Sequence, residues 1–207
     1  MIAAFLGLRL YSVLGQRAEH EEEVIPNRFD PGEQQAQPAK PAAPAQLRPQ
    51  PRLEGVMPAV ERGVREIAAA DPRFDISAFL EGAQGAYGMI LEAFWKGDKQ
   101  TLKELCDDDV YASFTSAIDA REAAGHTLDN RLIRIEETRI HSAGLEGRMA
   151  RVSVLFVADI ACVTRDKDDN VVAGSLDDAV VSRDIWTFSR NLDAAGPDWL
   201  LDETDEG

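Results

Sequence analysis

The spacing of apolar residues changes once along this chain, near Gly125, and that change constrains the fold more than any other feature. Before it, apolar side chains recur every three to four positions, which is the spacing of an amphipathic helix. After it they alternate with polar ones, as between Val152 and Cys162, which is the spacing of a strand with one buried face. Helices followed by strands predict an α+β domain, with a helical layer packed on one face of a curved, four-stranded antiparallel sheet.

The helical part divides into four predicted helices. A short amphipathic helix over residues 56–70 ends before Pro72, because a proline disfavours helix in the residue preceding it. Two turns over residues 99–106 and a helix over 107–124 come later, and Gly125 is expected to cap the last one. The principal core helix follows Asp75, a favourable N-cap, and its wide apolar stripe comprises Ile76, Phe79, Leu80, Ala83, Tyr87, Ile90, Leu91, Phe94 and Trp95.

Three glycines, Gly82, Gly85 and Gly88, lie inside this core helix. Each costs about 1 kcal/mol relative to alanine in a helix interior. That cost predicts that another element approaches the helix closely at these positions. The alternative is that the missing side chains open a cavity for an apolar ligand.

The strands are predicted from alternation and turn residues. Residues 132–139 and 152–162 form two strands, and a return strand is centred on residues 180–188. Residues 166–170 read Asp-Lys-Asp-Asp-Asn, which predicts a turn, and residues 199–201 supply a short last strand.

Residues 1–18 are predicted to form a partial or short membrane-anchor helix. A signal peptide carries its positive charge before the apolar run, whereas Arg9 and Arg17 interrupt and follow it. The run before Arg9 is also too short to span a bilayer. The segment is therefore the end of a longer anchor that starts upstream of Met1, an interfacial helix, or a frayed soluble terminus. The anchor residues are Phe5, Leu6, Leu8, Arg9, Leu10, Tyr11 and Arg17.

Residues 19–53 are rich in Pro, Ala, Glu and Gln and contain few large apolar side chains. Such a segment cannot bury enough surface to offset the entropy of ordering, so it is predicted to be a disordered, extended linker. The folded domain is expected over residues 54–203. If a complete helix spans the membrane, the arginines at its end place this domain on the cytoplasmic side.

The net charge of −15 argues against nucleic acid as a partner, because a phosphate backbone repels so acidic a protein. Arg131, Arg134 and Arg139 are too few to make a basic stripe. Cys106 and Cys162 sit among apolar neighbours and are expected to be buried thiols, which fits a reducing compartment.

No residue is predicted to be catalytic or to bind a metal or cofactor. The acidic turn lacks the central glycine and the final glutamate of a calcium loop. His126 and His141 are expected at exposed loop positions, without a partner that would make either an acid or a base. Asp184 is interpreted as facing inward or as a charge on an edge strand that discourages aggregation.

Several segments of the chain resemble the Tim44-like domain. They are the helical run 79–87, Phe94-Trp95-Lys96-Gly97-Asp98, the segment 121–125, the strand Ile185-Trp186-Thr187-Phe188-Ser189-Arg190 and the segment 196–199. The resemblance implies a cone-shaped, nuclear-transport-factor-two-like fold that encloses an apolar pocket. Its implied lining is Tyr87, Phe94, Trp95, Phe156, Trp186, Phe188 and Trp199.

The same resemblance implies a membrane-tethered adaptor rather than an enzyme. In mitochondria the domain belongs to the matrix-side tether of the protein import motor, and bacterial relatives carry it behind a membrane anchor. We therefore expect a bacterial inner-membrane protein that binds an unidentified protein, a peptide or a lipid through its pocket. The alternative is a small-molecule-binding or enzymatic domain of the same cone shape, which would need convergent polar groups in the pocket.

Overall fold

A computed structural model describes residues 58–196 and 198–207 of the chain. The predicted anchor over residues 1–18 and the linker over 19–53 lie outside these residues. No helix within the described ranges is long and apolar enough to cross a membrane.

Within residues 58–196, four helices precede the sheet, as the periodicity predicts. They are α1 (Pro58–Ala70), α2 (Ile76–Lys96), α3 (Lys99–Leu105) and α4 (Asp108–Ala123). The side chain of Asp75 accepts a hydrogen bond from the Ala78 N–H at 2.8 Å, which confirms it as the N-cap of α2. Gly125 adopts φ +72° after α4, where its N–H donates to the Glu122 carbonyl, so it ends that helix as expected.

The strands of the described part of the chain form one antiparallel sheet of five rather than four members. They are β1 (Thr127–Leu128), β2 (Arg131–Glu146), β3 (Met149–Arg165), β4 (Val171–Asn191) and β5 (Leu200–Glu206). The additional strand, β1, has two residues and pairs with the end of β3, too short a stretch to show alternation. The other strands are longer than predicted because β2, β3 and β4 extend well past the regions of strict alternation.

Irregular register curves the sheet. Three register shifts interrupt the pairing of β2 with β3, and three residues of β4, 176–178, stand between two consecutive pairs with β3. His141 lies at one of the β2 shifts and is exposed, so the prediction of a loop position is wrong although that of exposure is confirmed. The predicted turn over residues 166–170 is confirmed by two backbone hydrogen bonds: the Asp166 N–H donates to the Asn170 carbonyl, and the Asp169 N–H donates to the Asp166 carbonyl, each at 3.0 Å.

The core lies between the helices and the inner face of the sheet. Val152, Val154, Phe156, Ala158 and Ile160 point into it along β3 and are at most 5 % exposed. Cys106 is buried and Cys162 is partly buried against this core, and both are free thiols. Burial raises the pKa of Cys106 to about 12 and that of Cys162 to about 11, which keeps both thiols protonated at neutral pH.

The prediction of close packing at the α2 glycines is wrong at two of the three positions. A Cβ placed on Gly82 or Gly85 would meet no atom within 4 Å, and one on Gly88 would contact the Leu132 side chain at an ordinary 3.6 Å. The close approach occurs instead on α1, where a Cβ on Gly63 would lie 1.9 Å from the Ala143 carbonyl oxygen. Helix α1 therefore packs backbone to backbone on β2.

Candidate functional site

Three of the seven predicted pocket residues form one aromatic cluster between the two layers. The ring centroids of Tyr87 and Phe156 are stacked 4.4 Å apart, and Tyr87 lies 4.6 Å from Trp186. Phe156 and Trp186 meet edge to face at 6.1 Å. Tyr87 comes from the buried stripe of α2, and its two partners come from the inner face of the neighbouring strands β3 and β4. The cluster thus fixes the long helix on the centre of the sheet.

A second aromatic group contains two more predicted residues, Phe188 and Trp199. The ring of Phe79 lies 4.9 Å from Trp199 and 6.1 Å from Phe188, and Phe74 lies 5.7 Å from Trp199. Trp199 is only partly buried. Phe74 and Phe79 are absent from the predicted lining, although Phe79 lies two helical turns before Tyr87 on the same stripe and could have been found from that spacing.

The remaining two, Phe94 and Trp95, lie at the C-terminal end of α2. Phe94 packs 5.3 Å from Phe114, and the Arg121 guanidinium stands 5.6 Å above the Phe94 ring. The Arg121 Nη1 also donates to the Phe94 carbonyl at 3.1 Å. Trp95 is 6 % exposed, and its indole Nε1 has no hydrogen-bond partner among the described residues. The seven residues therefore fall into three groups along α2, and a ligand pocket lined by all of them stays a prediction.

One carboxylate meets the central aromatic cluster. The Tyr87 hydroxyl donates to Oδ2 of Asp184 at 2.7 Å, and the Ser182 hydroxyl donates to the same oxygen at 2.7 Å. Asp184 is partly buried, and it pairs with Phe156 of β3 on one side and Glu206 of β5 on the other. It is therefore an inward-facing residue of an interior strand, and the interpretation as an edge-strand charge is wrong. Ser182 carried no signal in the sequence.

A buried ion pair closes the opposite end of the core. Arg190 Nη1 lies 2.9 Å from Asp71 Oδ2, and both side chains are less than 9 % exposed. Asp71 follows α1 and also accepts a hydrogen bond from the Arg73 N–H at 3.1 Å. The pKa of Asp71 is lowered despite the burial of its carboxylate. The hydrogen bond from the Arg73 N–H contributes most to this lowering, and the positive charge of Arg190 contributes next. The pair joins the end of α1 to β4.

A third polar contact lies where β5 meets α4. Asp107 N-caps α4 by accepting from the Val110 N–H at 2.8 Å, and its own N–H donates to the Leu201 carbonyl at 2.9 Å. Burial and the adjacent Asp202 raise the pKa of Asp107, and Arg151 pairs with Asp202 from β3. These contacts attach β5 to the helical layer.

The described residues contain no group of three His, Cys, Asp or Glu side chains that could hold a metal ion. The carboxylate of Asp166 instead accepts from the Asp168 and Asn170 N–H groups at 2.8 and 2.9 Å, which is a local turn. The inner face of the sheet therefore carries packed aromatic rings and one hydrogen-bonded carboxylate, and the helical layer covers the central rings.

A family model for the Tim44-like domain matches residues 60–206, a range that includes nearly all of the helices and strands described above. The chain therefore belongs to the Tim44-like domain family.

Three relatives illustrate the match. The mitochondrial import inner membrane translocase subunit TIM44-1 of Arabidopsis thaliana is 27 % identical over 146 residues, which cover 67 % of this chain and 31 % of the plant protein. The human subunit TIM44 is 25 % identical over 133 residues, which cover 64 % and 29 %. The uncharacterized protein RP434 of Rickettsia prowazekii (strain Madrid E) is 27 % identical over 149 residues, which cover 72 % and 61 %. The chain thus spans less than a third of the length of the plant and human relatives.

Among solved structures, the intermembrane space region of the chloroplast protein ARC6 resembles the chain with a TM-score of 0.40 and 14 % identity. The likeness covers 65 % of this chain and 98 % of that region. A TM-score of 0.40 is too low to relate the two proteins.

Proposed function

We propose that this protein is a membrane-associated adaptor that binds a partner through its Tim44-like domain and does not catalyse a reaction. The observation that carries the proposal is the family match over residues 60–206, together with the naming of the plant and human relatives as subunits of an inner-membrane translocase. Because those relatives are about three times as long as the matched segment, a translocase role for this chain belongs to the proposal as well.

The proposed binding element is the apolar pocket of the resemblance, centred on Tyr87, Phe156 and Trp186. Aromatic side chains offer large apolar contact area, which suits an acyl chain or the apolar face of a peptide. Asp184, held by two hydroxyl donors, would mark the polar end of that pocket. The other four predicted residues extend the surface along α2 in both directions.

We place the protein at a bacterial inner membrane, with the domain on the cytoplasmic side. The support is the Rickettsia relative and the order of charges in residues 1–18, in which Arg9 interrupts the apolar run and Arg17 follows it. The linker over residues 19–53 would hold the domain away from the bilayer.

Membrane fractionation tests this proposal. The chain is expressed from its native locus with the upstream in-frame sequence retained, and membranes are extracted with alkaline carbonate. We expect the protein to stay in the membrane pellet, and a variant that lacks both the upstream sequence and residues 1–18 to move to the soluble fraction. Release of the full chain by carbonate contradicts an anchor, and equal retention of both variants shows that the domain itself binds the membrane.

The second candidate function is a small-molecule-binding or enzymatic cone-shaped domain. The hydrogen bond from Tyr87 to Asp184 favours it, because a phenol and a carboxylate that converge in an apolar site can recognise a polar ligand group. The two candidates separate in a ligand screen that monitors the melting temperature of the full chain. Stabilisation by fatty acids or apolar peptides supports the adaptor, and stabilisation by polar metabolites, lost in Tyr87→Phe, supports the alternative.

A further inference from the structure

Arg190 is buried on the inner face of the sheet, and part of its guanidinium has no partner. The residue is 7 % exposed and lies on the same face of β4 as Phe188, opposite the fully buried Ala150 of β3. Its Nη1 pairs with Asp71 at 2.9 Å, whereas its Nε and Nη2 have no hydrogen-bond partner among the described residues. Buried donors are nearly always paired, so two unpaired ones on a single side chain call for an explanation.

The two unpaired atoms form one binding edge of the guanidinium. The group is planar, and Nε and Nη2 lie side by side along one edge, while Nη1 points away from it toward Asp71. The N–H groups on such an edge run parallel, and this fork matches the two oxygens of a carboxylate in a bidentate contact. We name Nε and Nη2 of Arg190 the unpaired edge. Its geometry suits a planar anion better than a single acceptor.

The charges around Arg190 leave one positive charge in excess. Asp71 is shared by two arginines, because its Oδ1 lies 3.4 Å from Arg73 Nε while its Oδ2 lies 2.9 Å from Arg190 Nη1. Two arginines and one aspartate together carry one net positive charge. A singly charged carboxylate balances this excess. A doubly charged phosphate would exceed it, in a protein whose net charge is already −15.

Two aromatic residues lie close to Arg190. The Phe74 N–H donates to the Asp71 carbonyl at 3.0 Å, and Trp199 comes directly before the β5 residue that pairs with Ser189. The ring centroids of Phe74 and Trp199 are 5.7 Å apart. Both residues are only partly buried, unlike Arg190. An apolar group attached to a bound carboxylate would therefore have aromatic rings to pack against.

We propose that Arg190 binds a carboxylate joined to an apolar group, such as a small aromatic acid, through its unpaired edge. The carboxylate completes the hydrogen bonds of the guanidinium, and the apolar group packs against Phe74 and Trp199, whose rings part to admit it. This site adjoins the proposed pocket at Trp199, but it depends neither on membrane association nor on an adaptor role. Its failure would leave the result of membrane fractionation unchanged, and the reverse also holds.

The test uses the full chain and phenylacetate, with the uncharged phenylacetamide as the matched ligand. Calorimetry gives the two affinities, and NMR follows the Nε–H signal of Arg190 and the indole N–H signal of Trp199. We expect the acid to bind at least about tenfold more tightly than the amide and to shift both signals, because only the acid accepts two charge-assisted hydrogen bonds. A second pair, N-acetyl-alanyl-phenylalanine and its C-terminal amide, distinguishes a free acid from the end of a peptide chain.

Arg190→Lys and Arg148→Lys form the matched pair of variants. Lysine at position 190 keeps the charge that faces Asp71 but has no planar fork, whereas Arg148 pairs with Asp193 at the surface and lies outside the proposed site. We expect Arg190→Lys to weaken binding of phenylacetate by about tenfold and Arg148→Lys to leave it unchanged. Melting curves of both variants establish that each is folded.

Three results would overturn the proposal. Equal binding of each acid and its amide, or no binding of either acid, would mean that water satisfies the unpaired edge. Binding of an acid that leaves the Arg190 signal unmoved would place the acid elsewhere. Equal binding by the two lysine variants would show that the fork is not used. The NMR titration is made on the native chain, so it decides the question even if Arg190→Lys does not fold.

Discussion

The two halves of β4 have opposite environments although they belong to one strand. In the half from Asp184 onward, most of which pairs with β5, even the polar Thr187 and Arg190 are buried, at 8 % and 7 % exposure, beside Trp186 and Phe188. In the half before Asp184, valines are exposed, at 52 % for Val171, 51 % for Val172 and 59 % for Val181. Burial here follows what covers the strand, namely β5 and the helical layer, rather than the hydropathy of the residue itself.

The largest expected effect comes from removing a core side chain from the half of β4 that β5 and the helices cover, which we call the covered half. The half before Asp184 is the open half. Trp186→Ala removes a side chain that is 1 % exposed and contacts two other aromatic rings, so we expect the free energy of unfolding to fall by about 4 kcal/mol. Val181→Ala in the open half should change it by less than about 0.5 kcal/mol. Urea denaturation of both variants measures the contrast. Similar losses would mean that the open half is covered in solution.

The buried ion pair that Arg190 of the covered half forms with Asp71 should be nearly as sensitive to substitution. Asp71→Asn leaves the Arg190 guanidinium in the core without its counter-charge, which costs about 3 kcal/mol. The double variant Asp71→Leu with Arg190→Met should recover most of that loss, because it buries no unpaired charge. If the double variant is no more stable than Asp71→Asn, the contact between α1 and β4 depends on the pair itself.

The same ion pair predicts a pH dependence. The pKa of Asp71 is lowered in the folded protein by the Arg73 N–H and by Arg190, so the folded state disfavours the protonated form. The stability contributed by the carboxylate is therefore complete above the ordinary pKa of aspartate and is lost as the pH falls toward the lowered value. Unfolding of the native chain and Asp71→Asn, compared between pH 7 and pH 3, should show the gap between them narrowing in acid.

Glycines on two helices extend the comparison of covered and open surfaces. Gly63 faces the Ala143 carbonyl, so Gly63→Ala must push α1 off β2 and should cost about 2 kcal/mol. Gly82 faces open space, so Gly82→Ala should instead stabilise the protein by about 0.7 kcal/mol through helix propensity. Thermal unfolding of the two variants gives shifts of opposite sign. A destabilising Gly82→Ala would reveal a surface that packs against this helix face.

These glycines also show where prediction from the sequence stops. The helices, the change of period at Gly125, the turn at residues 166–170 and the one-sided strand β3 were predictable because each depends on local spacing and capping. The close approach at Gly63 was not predictable, since it depends on which strand α1 crosses. The low helix propensity of Gly82 and Gly85 likewise does not show whether their side of α2 is packed or open.

The candidate site was predictable to a similar depth. Periodicity placed Tyr87 and Phe156 on inner faces, the family resemblance implied Trp186 beside them, and the structure brings these three together. The partners of Asp184 and Arg190 were beyond reach, because hydrogen bonds such as Tyr87 to Asp184 and Arg190 to Asp71 join residues about a hundred positions apart. Register and the exact path of α1 and α2 decide such pairs, and no local pattern encodes them.

The smallest expected effect concerns the attachment of β5, the strand that makes the two halves of β4 different. Burial and the neighbouring Asp202 raise the pKa of Asp107, so its ionised form is disfavoured in the folded state. Asp107→Asn removes the charge and keeps the N-cap oxygen that accepts from Val110. We expect it to stabilise the protein at pH 7 by about 0.5 kcal/mol, since solvent screens a partly exposed group.

The pH dependence expected for Asp107 is opposite in sign to that of Asp71, because the pKa of Asp107 is raised and that of Asp71 is lowered. A carboxyl with a raised pKa contributes stability that is complete below its ordinary pKa and is lost as the pH rises through the raised value. The advantage of Asp107→Asn should therefore vanish in acid, whereas Asp108→Asn, an exposed neighbour on the same helical turn, should show no gain at pH 7. Equal effects of the two substitutions would assign the gain to the general acidity of the α4 N-terminus. A gain specific to Asp107 would mean that burial of its charge, together with repulsion from Asp202, weakens the contact that attaches β5 to α4. That contact helps to hold β5 in place, and β5 is the strand that covers one half of β4.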